Sequence, residues 1–319
     1  MSEMALLPHS QACGQRRADT ISHELICTAR ALFANDKGLL AMDESDHTCN
    51  ERFAALGIPQ TVEARRAYRE LIVTTPSLGD CISGVILYDE TIHQEKGDGT
   101  PFVRVITDAG IIPGIKVDTG AMDMAGYPGE KITEGLDGLR DRLEEYFEMG
   151  ARFAKWRAVF ALGDGIPSQG CIEANAQALA RYAALCQEEG LVPVVEPEVL
   201  MEGEHTLDRC RAVTEEVLRT VFDRLCKQRV MLEGMILKPN MVLPGLMCPK
   251  QETVEEVADA TVKCLLRAVP AADRQHRTPR YPQAGSGSAR RHSAVLWADV
   301  RGESGSGGCH SVRWQRQPG

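Results

Sequence analysis

A chain of 319 residues, 43% hydrophobic and 25% charged, holds enough apolar side chains for one full core, and a single α/β barrel of ordinary size would use most of it. The formal net charge of -9 argues against the basic face that a nucleic acid or an anionic membrane would need. The partner expected is a small soluble molecule, with no nucleic acid and no membrane.

Eleven cysteines run from Cys13 to Cys309 without a C-x-x-C pair, an odd count that fits neither a zinc cage nor a disulfide framework. They read as reduced thiols, which predicts a cytoplasmic protein. The opening stretch MSEMALLPHSQACGQRR lacks an apolar core followed by a small-residue cleavage site. No later segment reaches about 18 uninterrupted apolar residues, so neither secretion nor a membrane span is expected.

Short β-rich runs recur along the chain: GLLAMDES (38–45), ISGVILYDE (82–90), GIIPGIKVD (110–118), ARFAKWRAVF (151–160), LVPVVEPEVL (191–200) and LEGMILKPN (232–240). These predict six strands. Helical periodicity fills the gaps at VEARRAYRELI (62–72), EGLDGLRDRLEEYFEMG (134–150), ANAQALARYAALCQEEG (174–190) and TLDRCRAVTEEVLRTVFDRL (206–225). In the last of these Leu207, Val213, Val217, Val221 and Leu225 line one face. QETVEEVADATVKCLLRAVP (251–270) reads as a further helix.

Strands alternating with helices predict parallel pairing through right-handed crossovers, and the absence of a G-x-G-x-x-G fingerprint favours a (β/α)8 TIM barrel over an open sheet. Nearly every strand ends in charge: Asp43, Asp89 and Glu90, Lys116, Lys155 and Arg157, Glu196 and Glu198, Lys238. A charge at a strand end is often only a solvated loop residue. In a barrel, however, those ends converge on one rim, where unpaired charges would cost several kcal/mol each, so alternating acids and bases predict a polar site.

From about Asp273 the composition changes. Residues 273–319 hold eight Arg, no Lys and three acids, a net charge of +5 that leaves -14 for the body. With AGSGSARR and GESGSGG in it, this tail reads as disordered, HSAVLWADV (292–300) being its one strand-like run. Six strands leave an incomplete TIM barrel, divided into an N-terminal extension (1–19), a barrel unit (20–272) lacking its last two β/α units, and the tail (273–319).

Lys238 follows apolar Met235, Ile236 and Leu237 and precedes Pro239. A lysine desolvated there, with Lys155 across the rim, is expected to have a lowered pKa, as a nucleophilic amine needs near neutrality. Such an amine attacks a ketone, and the iminium it forms permits cleavage of the neighbouring carbon–carbon bond if carboxylates shuttle protons nearby. Glu196 and Glu198 share a face by strand alternation, and Asp43 ends the first strand. Lys116, Arg157 and Arg52 add positive charge suited to an anionic, phosphorylated substrate. A network that merely neutralises buried charge is the bland alternative. The eight histidines have no H-x-x-x-H or paired His–carboxylate spacing, which disfavours a zinc site, and neither a Walker loop nor a G-x-S-x-G elbow is present.

The runs GLLAMDES, GVILYDET, GIKVDTG, EGLDGL, FAKWR, ARYA, PVVEPE, LEGMILKPNMV and PG, in this order and spacing, resemble class I fructose-bisphosphate aldolases from about residue 20 to 270. The resemblance implies a TIM barrel that reversibly splits fructose 1,6-bisphosphate into dihydroxyacetone phosphate and glyceraldehyde 3-phosphate, in glycolysis and gluconeogenesis, with no metal or other cofactor. It implies that Lys238 is the Schiff-base lysine, Glu196 a principal acid/base, Asp43 the group acting at the cleaved bond and Lys155 a proton-transfer and charge partner. Glu198 would support Lys155. Lys116, Arg157, Arg52, Ser45 and Thr48 would lie where the family binds its substrate and the distal phosphate. A homo-oligomer is implied too, the family being often tetrameric.

The departures matter as well. Glu51 stands where the family usually has Lys, and no LSGGQS-like or YGRA-like motif follows residue 270. The abrupt Arg/Gly/Ser-rich change reads as out-of-frame translation. Two other readings stand beside the aldolase: a catalytically impaired remnant or non-catalytic interaction protein, and a different Schiff-base barrel lyase acting on a related sugar phosphate.

Overall fold

The computed structural model describes residues 9–270. The expectations for the 273–319 tail, HSAVLWADV included, lie outside the described residues. In chain order the elements are α1 (His9–Ala31), β1 (Gly38–Met42), α2 (Asp46–Ala55), α3 (Val62–Val73), α4 (Leu78–Cys81), β2 (Ile82–Leu87), α5 (Asp89–Ile92), α6 (Phe102–Asp108), β3 (Ile112–Lys116), β4 (Gly120–Asp123), β5 (Lys131–Glu134), α7 (Leu139–Glu148), β6 (Phe153–Phe160), α8 (Gln169–Glu188), β7 (Val192–Val199), α9 (Leu207–Lys227), β8 (Ile236–Leu237) and α10 (Val254–Ala268). Each of the six expected strands is present, and among the described residues they form one parallel sheet in the order β1-β2-β3-β6-β7-β8. The small β4–β5 hairpin is antiparallel and was not legible in the periodicity.

The helix expected over 134–150 begins only at Leu139, because Glu134 ends β5 and two glycines intervene. Gly135 and Gly138 adopt φ of 125° and 64°, and a Cβ on Gly135 would stand 2.9 Å from the Thr119 backbone nitrogen. That conformation suits glycine and ends any helical reading there. The domain boundary expected after residue 19 falls inside α1.

The sheet is strongly curled. β1 and β6 are first and fourth in the order, so in a flat sheet they would lie about 14 Å apart. Yet the Asp43 carboxylate that follows β1 meets the Lys155 amine of β6 at 2.8 Å, across the concave face. This is the curvature of a barrel wall, left open between β8 and β1 among the described residues.

Strand alternation sorts the apolar residues into two cores. On the concave face Ile86, Phe153, Val192, Val194 and Ile236 pack with Leu25 and Ala29 of α1 and with Leu32 just after it, so that α1 plugs the end opposite the charged rim. Outside, Val85, Leu87, Ile115, Ala154, Trp156 and Val195 meet the helices, chiefly α8 and α9. The Phe153 ring fills the concave space over Gly84 and Gly114, which carry no side chain: a Cβ on Gly114 would lie 2.3 Å from it and one on Gly84 3.1 Å. Tyr182 of α8 donates to Ala154 O at 2.7 Å, locking helix to sheet.

Hydroxyl side chains start the long helices. Ser45, Thr61, Ser168, Thr206 and Thr253 each accept a bond from the backbone N–H three residues on, and Thr253 forms a full capping box with Glu256. Each cap is worth about 1 kcal/mol. Among the described residues no helix is long and apolar enough to cross a membrane.

Candidate active site

The strand register stacks the charged groups in two layers. Lys116 of β3 is level with Lys155 of β6, and since Met42 aligns with Leu87 and Leu87 with Ile115, Asp43 falls on that same level. One step further out, Arg157 of β6 is level with Glu196 of β7, and the pairing of Val195 with Leu237 brings Lys238 beside Glu196. All six side chains are on the concave side, above the apolar layer that packs on α1.

Lys155 is the hub. Its amine donates to Asp43 Oδ2 at 2.8 Å and lies 3.2 Å from Glu196 Oε2, with all three side chains 90% buried or more. Burial pulls the Lys155 amine towards neutrality, but Asp43 and Glu196 outweigh it and hold the group above the usual lysine range. Burial likewise pushes the Asp43 carboxyl up, and Lys155, then Lys116 and Lys238, override it and hold it below the usual carboxylate range. The pair is therefore ionised across ordinary pH.

Lys238 donates to Glu196 Oε1 at 2.5 Å, so Glu196 bridges the two lysines. Among the described residues its Oε2 accepts no hydrogen bond, although Lys155 is near, which leaves that buried oxygen able to take a proton or a substrate hydroxyl. A cavity of about 40 Å³ opens beside Lys238, lined by Glu196, Glu198, Cys210, Asn240 and the apolar Val199, Met201 and Leu243. That is room for about three waters.

The other expected residues divide into two groups. Lys116 donates to Asp118 Oδ1 at 2.5 Å and to Asp118 O at 2.7 Å, and Asp118 Oδ2 also accepts the Arg157 backbone N–H. Glu198 pairs with Arg157 Nε at 2.5 Å, whereas the ion pairs of Lys155 are with Asp43 and Glu196. Glu198 holds the Arg157 guanidinium above the ordinary range against the pull of burial. Ser45 and Thr48 face each other at 3.2 Å in the first turn of α2, and Arg52 reaches back to Glu44 at 2.5 Å. Glu51, the departure from the family pattern, lies 3.5 Å from His47 on the exposed face of α2.

Asp89 and Glu90 do not join the cluster. Both belong to α5, where Asp89 accepts from Tyr146 and Glu90 takes a two-pronged bond from Arg65. Reading them as strand-end groups overlooked that β2 stops at Leu87 and the chain turns into a helix.

Four residues at the site went unsingled in the sequence. Asp118 had a signal, standing two positions after Lys116 and so on the same face by alternation. Glu44 sits between Asp43 and Ser45 and is gripped by buried Arg69 through Oε2 (2.6 Å) and its backbone carbonyl (2.9 Å). Arg69 itself is 2% exposed, and its partner Glu44 lies 25 positions away, outside any local pattern. The fourth, Asn240, follows Lys238 by two.

Amines and carboxylates thus alternate at the C-terminal rim of a curled parallel sheet, the face where barrel enzymes carry their active sites. Residues 24–274 match the family model "Glycolytic: Fructose-bisphosphate aldolase class-I". The chain is 60% identical over 248 residues, covering 78% of itself and 74% of the relative, to the "Probable fructose-bisphosphate aldolase class 1" of Xanthomonas campestris pv. campestris. It is 51% identical over 249 residues, 78% of this chain and 69% of the other, to "Fructose-bisphosphate aldolase 6, cytosolic" of Arabidopsis thaliana. Among solved structures, the fructose-bisphosphate aldolase of Plasmodium falciparum, in a ternary complex with TRAP and a small-molecule inhibitor, superposes with a TM-score of 0.77 at 42% identity. The superposition covers 84% of this chain and 76% of that one. The chain belongs to the class I fructose-bisphosphate aldolases, which are carbon–carbon lyases.

Proposed function

We propose that this chain carries out aldol cleavage through a Schiff base on Lys238, acting on fructose 1,6-bisphosphate within glycolysis and gluconeogenesis. The observation that carries the reading is the Lys238–Glu196–Lys155–Asp43 chain of contacts at 2.5, 3.2 and 2.8 Å. Residues 20–272 are the unit to which we assign the activity, and the cytosol is its location, in keeping with the plant relatives named cytosolic.

The proton on the Lys238 amine leaves along its contact with Glu196, and the uncharged nitrogen adds to the ketone carbon of the open-chain sugar. Glu196 then returns a proton to the carbinolamine oxygen, water departs and the iminium remains. Asp43, kept ionised by Lys155, takes the proton from the hydroxyl beyond the scissile bond. That bond breaks, its electron pair moves towards the iminium nitrogen as an enamine, and the aldehyde product leaves. Protonation of the enamine carbon and hydrolysis of the imine release the ketose phosphate and restore the lysine. Lys116, Arg157, Arg52, Ser45 and Thr48 would bind and orient the phosphorylated substrate.

The test is borohydride reduction in the presence of fructose 1,6-bisphosphate, followed by peptide mass spectrometry. A mass increase on Lys238, lost in Lys238→Met together with cleavage, is the expected result. A folded chain that cleaves the sugar with Lys238 unlabelled would refute the mechanism. Turnover of fructose 1-phosphate measured beside the bisphosphate separates this reading from a related sugar-phosphate lyase, and a chain that melts without cooperativity and cleaves neither sugar would favour the impaired remnant.

A further inference from the structure

β8 is two residues long, has one neighbouring strand among the described residues, and still has to hold Lys238 against Glu196. The ladder that does this is short. Val194 pairs with Ile236 and Val195 with Leu237, and Lys238 N–H donates to Val195 O at 2.9 Å. In a regular parallel ladder the next donor, from residue 197 of β7, would bond the Lys238 carbonyl. Residue 197 is proline and has no N–H, so that rung cannot form. Backbone pairing therefore ends at the residue whose position matters.

The rung after the gap is made by a side chain. Val199 N–H, which a continuing ladder would give to a backbone carbonyl of β8, donates to Asn240 Oδ1 at 3.0 Å. The same amide donates through Nδ2 to Thr214 Oγ1 on α9 at 3.1 Å and to Met241 O at 2.9 Å. Thr214 is 1% exposed and Val199 4%, so both anchors are fixed in the core. One amide thus ties the turn after Lys238 to α9 and to the end of the strand that carries Glu196.

We infer that Asn240 is a positioning residue for Lys238: its amide makes the rung beyond the one that Pro197 forbids and fixes the amine at its distance from Glu196. This rests on Lys238 being the Schiff-base lysine. Positioning of this kind acts on the rate of imine formation more than on substrate affinity.

The experiment uses the full chain with dihydroxyacetone phosphate and borohydride, reading the rate of adduct formation on Lys238. Asn240→Ala removes the bonds to Val199, Thr214 and Met241 together and should slow trapping about tenfold or more, with little change in the concentration that half-saturates it. Thr214→Val removes only the helix contact and should trap within about twofold of the parent. Equal trapping in Asn240→Ala, or losses in both variants that merely follow their melting temperatures, overturns the inference. Residue-level hydrogen exchange of the parent needs no variant to fold. Val199 N–H should exchange as slowly as the ladder amides around it, and exchange at the rate of a free amide overturns the clamp. A parent that forms no adduct removes the Schiff-base reading, and the Val199 exchange rate then still decides whether the rung exists.

Discussion

Replacing Lys155 by Met leaves Asp43 and Glu196 facing each other without the cation that separates them. Their side chains are 10% and 4% exposed, so neither can recover its hydration without moving. Removing one partner of a buried ion pair costs about 3–5 kcal/mol. A fold of this size loses about 2–4 °C of melting temperature per kcal/mol, so the variant should melt roughly 6–20 °C lower. Lys263→Met is the control: its pair with Asp259 is 60% exposed on both sides and should be worth no more than about 1 kcal/mol.

The pH dependence has a definite sign. Asp43 is held below its usual value in the fold, so its contribution to stability is complete above the unfolded value of 3.8 and is lost only as pH falls through the lower folded one. Lys155 is held above its usual value, so its contribution is complete below 10.5 and is lost as pH rises through the higher folded one. From about pH 5 to 9 the parent keeps both. In Lys155→Met nothing of equal strength counters the burial of Asp43, which then protonates closer to neutrality. The deficit should therefore widen between pH 5 and pH 8. Melting curves by far-ultraviolet circular dichroism at the two pH values decide it: a variant within about 2 °C of the parent at pH 8, or a deficit that does not change with pH, refutes the buried cluster as described. Adding Asp43→Asn should restore part of the loss, because the two substitutions share one interaction.

Cysteine chemistry should follow burial. Cys171 and Cys264, pushed by burial up to about 11, carry about 0.1% thiolate at pH 8, so iodoacetamide should leave them intact in the native chain while exposed Cys27, Cys81 and Cys226 react, as peptide mapping will report. Gly114→Ala would drive a methyl to 2.3 Å from the Phe153 ring and should cost about 1–3 kcal/mol by denaturant titration, a loss that Phe153→Leu on the same background should partly relieve.

The six strands were legible because parallel strands buried on both faces read as continuous apolar runs, and GVIL, FAKWRAVF and PVVEPEV carry that pattern. The long helices were legible for a matching reason: α9 keeps Val213, Val217, Val221 and Leu225 on its inner face. What was missed lacks local periodicity. α2 has only Cys49 and Phe53 buried in ten residues, and α5 is four residues long. α1 holds its place by plugging the concave face, a role that depends on residues more than 50 positions away. The candidate site was legible as a set of residue types at strand ends but not as a set of partners. Strand alternation set Glu196 and Glu198 on one face, and the register, which sets Arg157 level with Glu196, explains why Glu198 meets Arg157.

The open edge raises a physical question that the concave core answers. If closure of the barrel were what curved the sheet, a wall lacking a pairing between β8 and β1 would flatten and carry Asp43 away from Lys155. The curvature has a second source. Phe153 projects into the space left by Gly84 and Gly114, and Leu25 and Ala29 of α1, with Leu32 just after it, press on the same face, so flattening would open a void under a large aromatic ring and forfeit its contacts. Sequence reading located the missing strands as the chief threat to this site. The packing puts the control of its geometry in the floor beneath Lys155, which predicts that Gly114→Ala will lower trapping on Lys238 by more than its stability cost, through the distance between Asp43 and Lys155. If the variant traps at the parent rate well below its melting temperature, the floor does not set the curve.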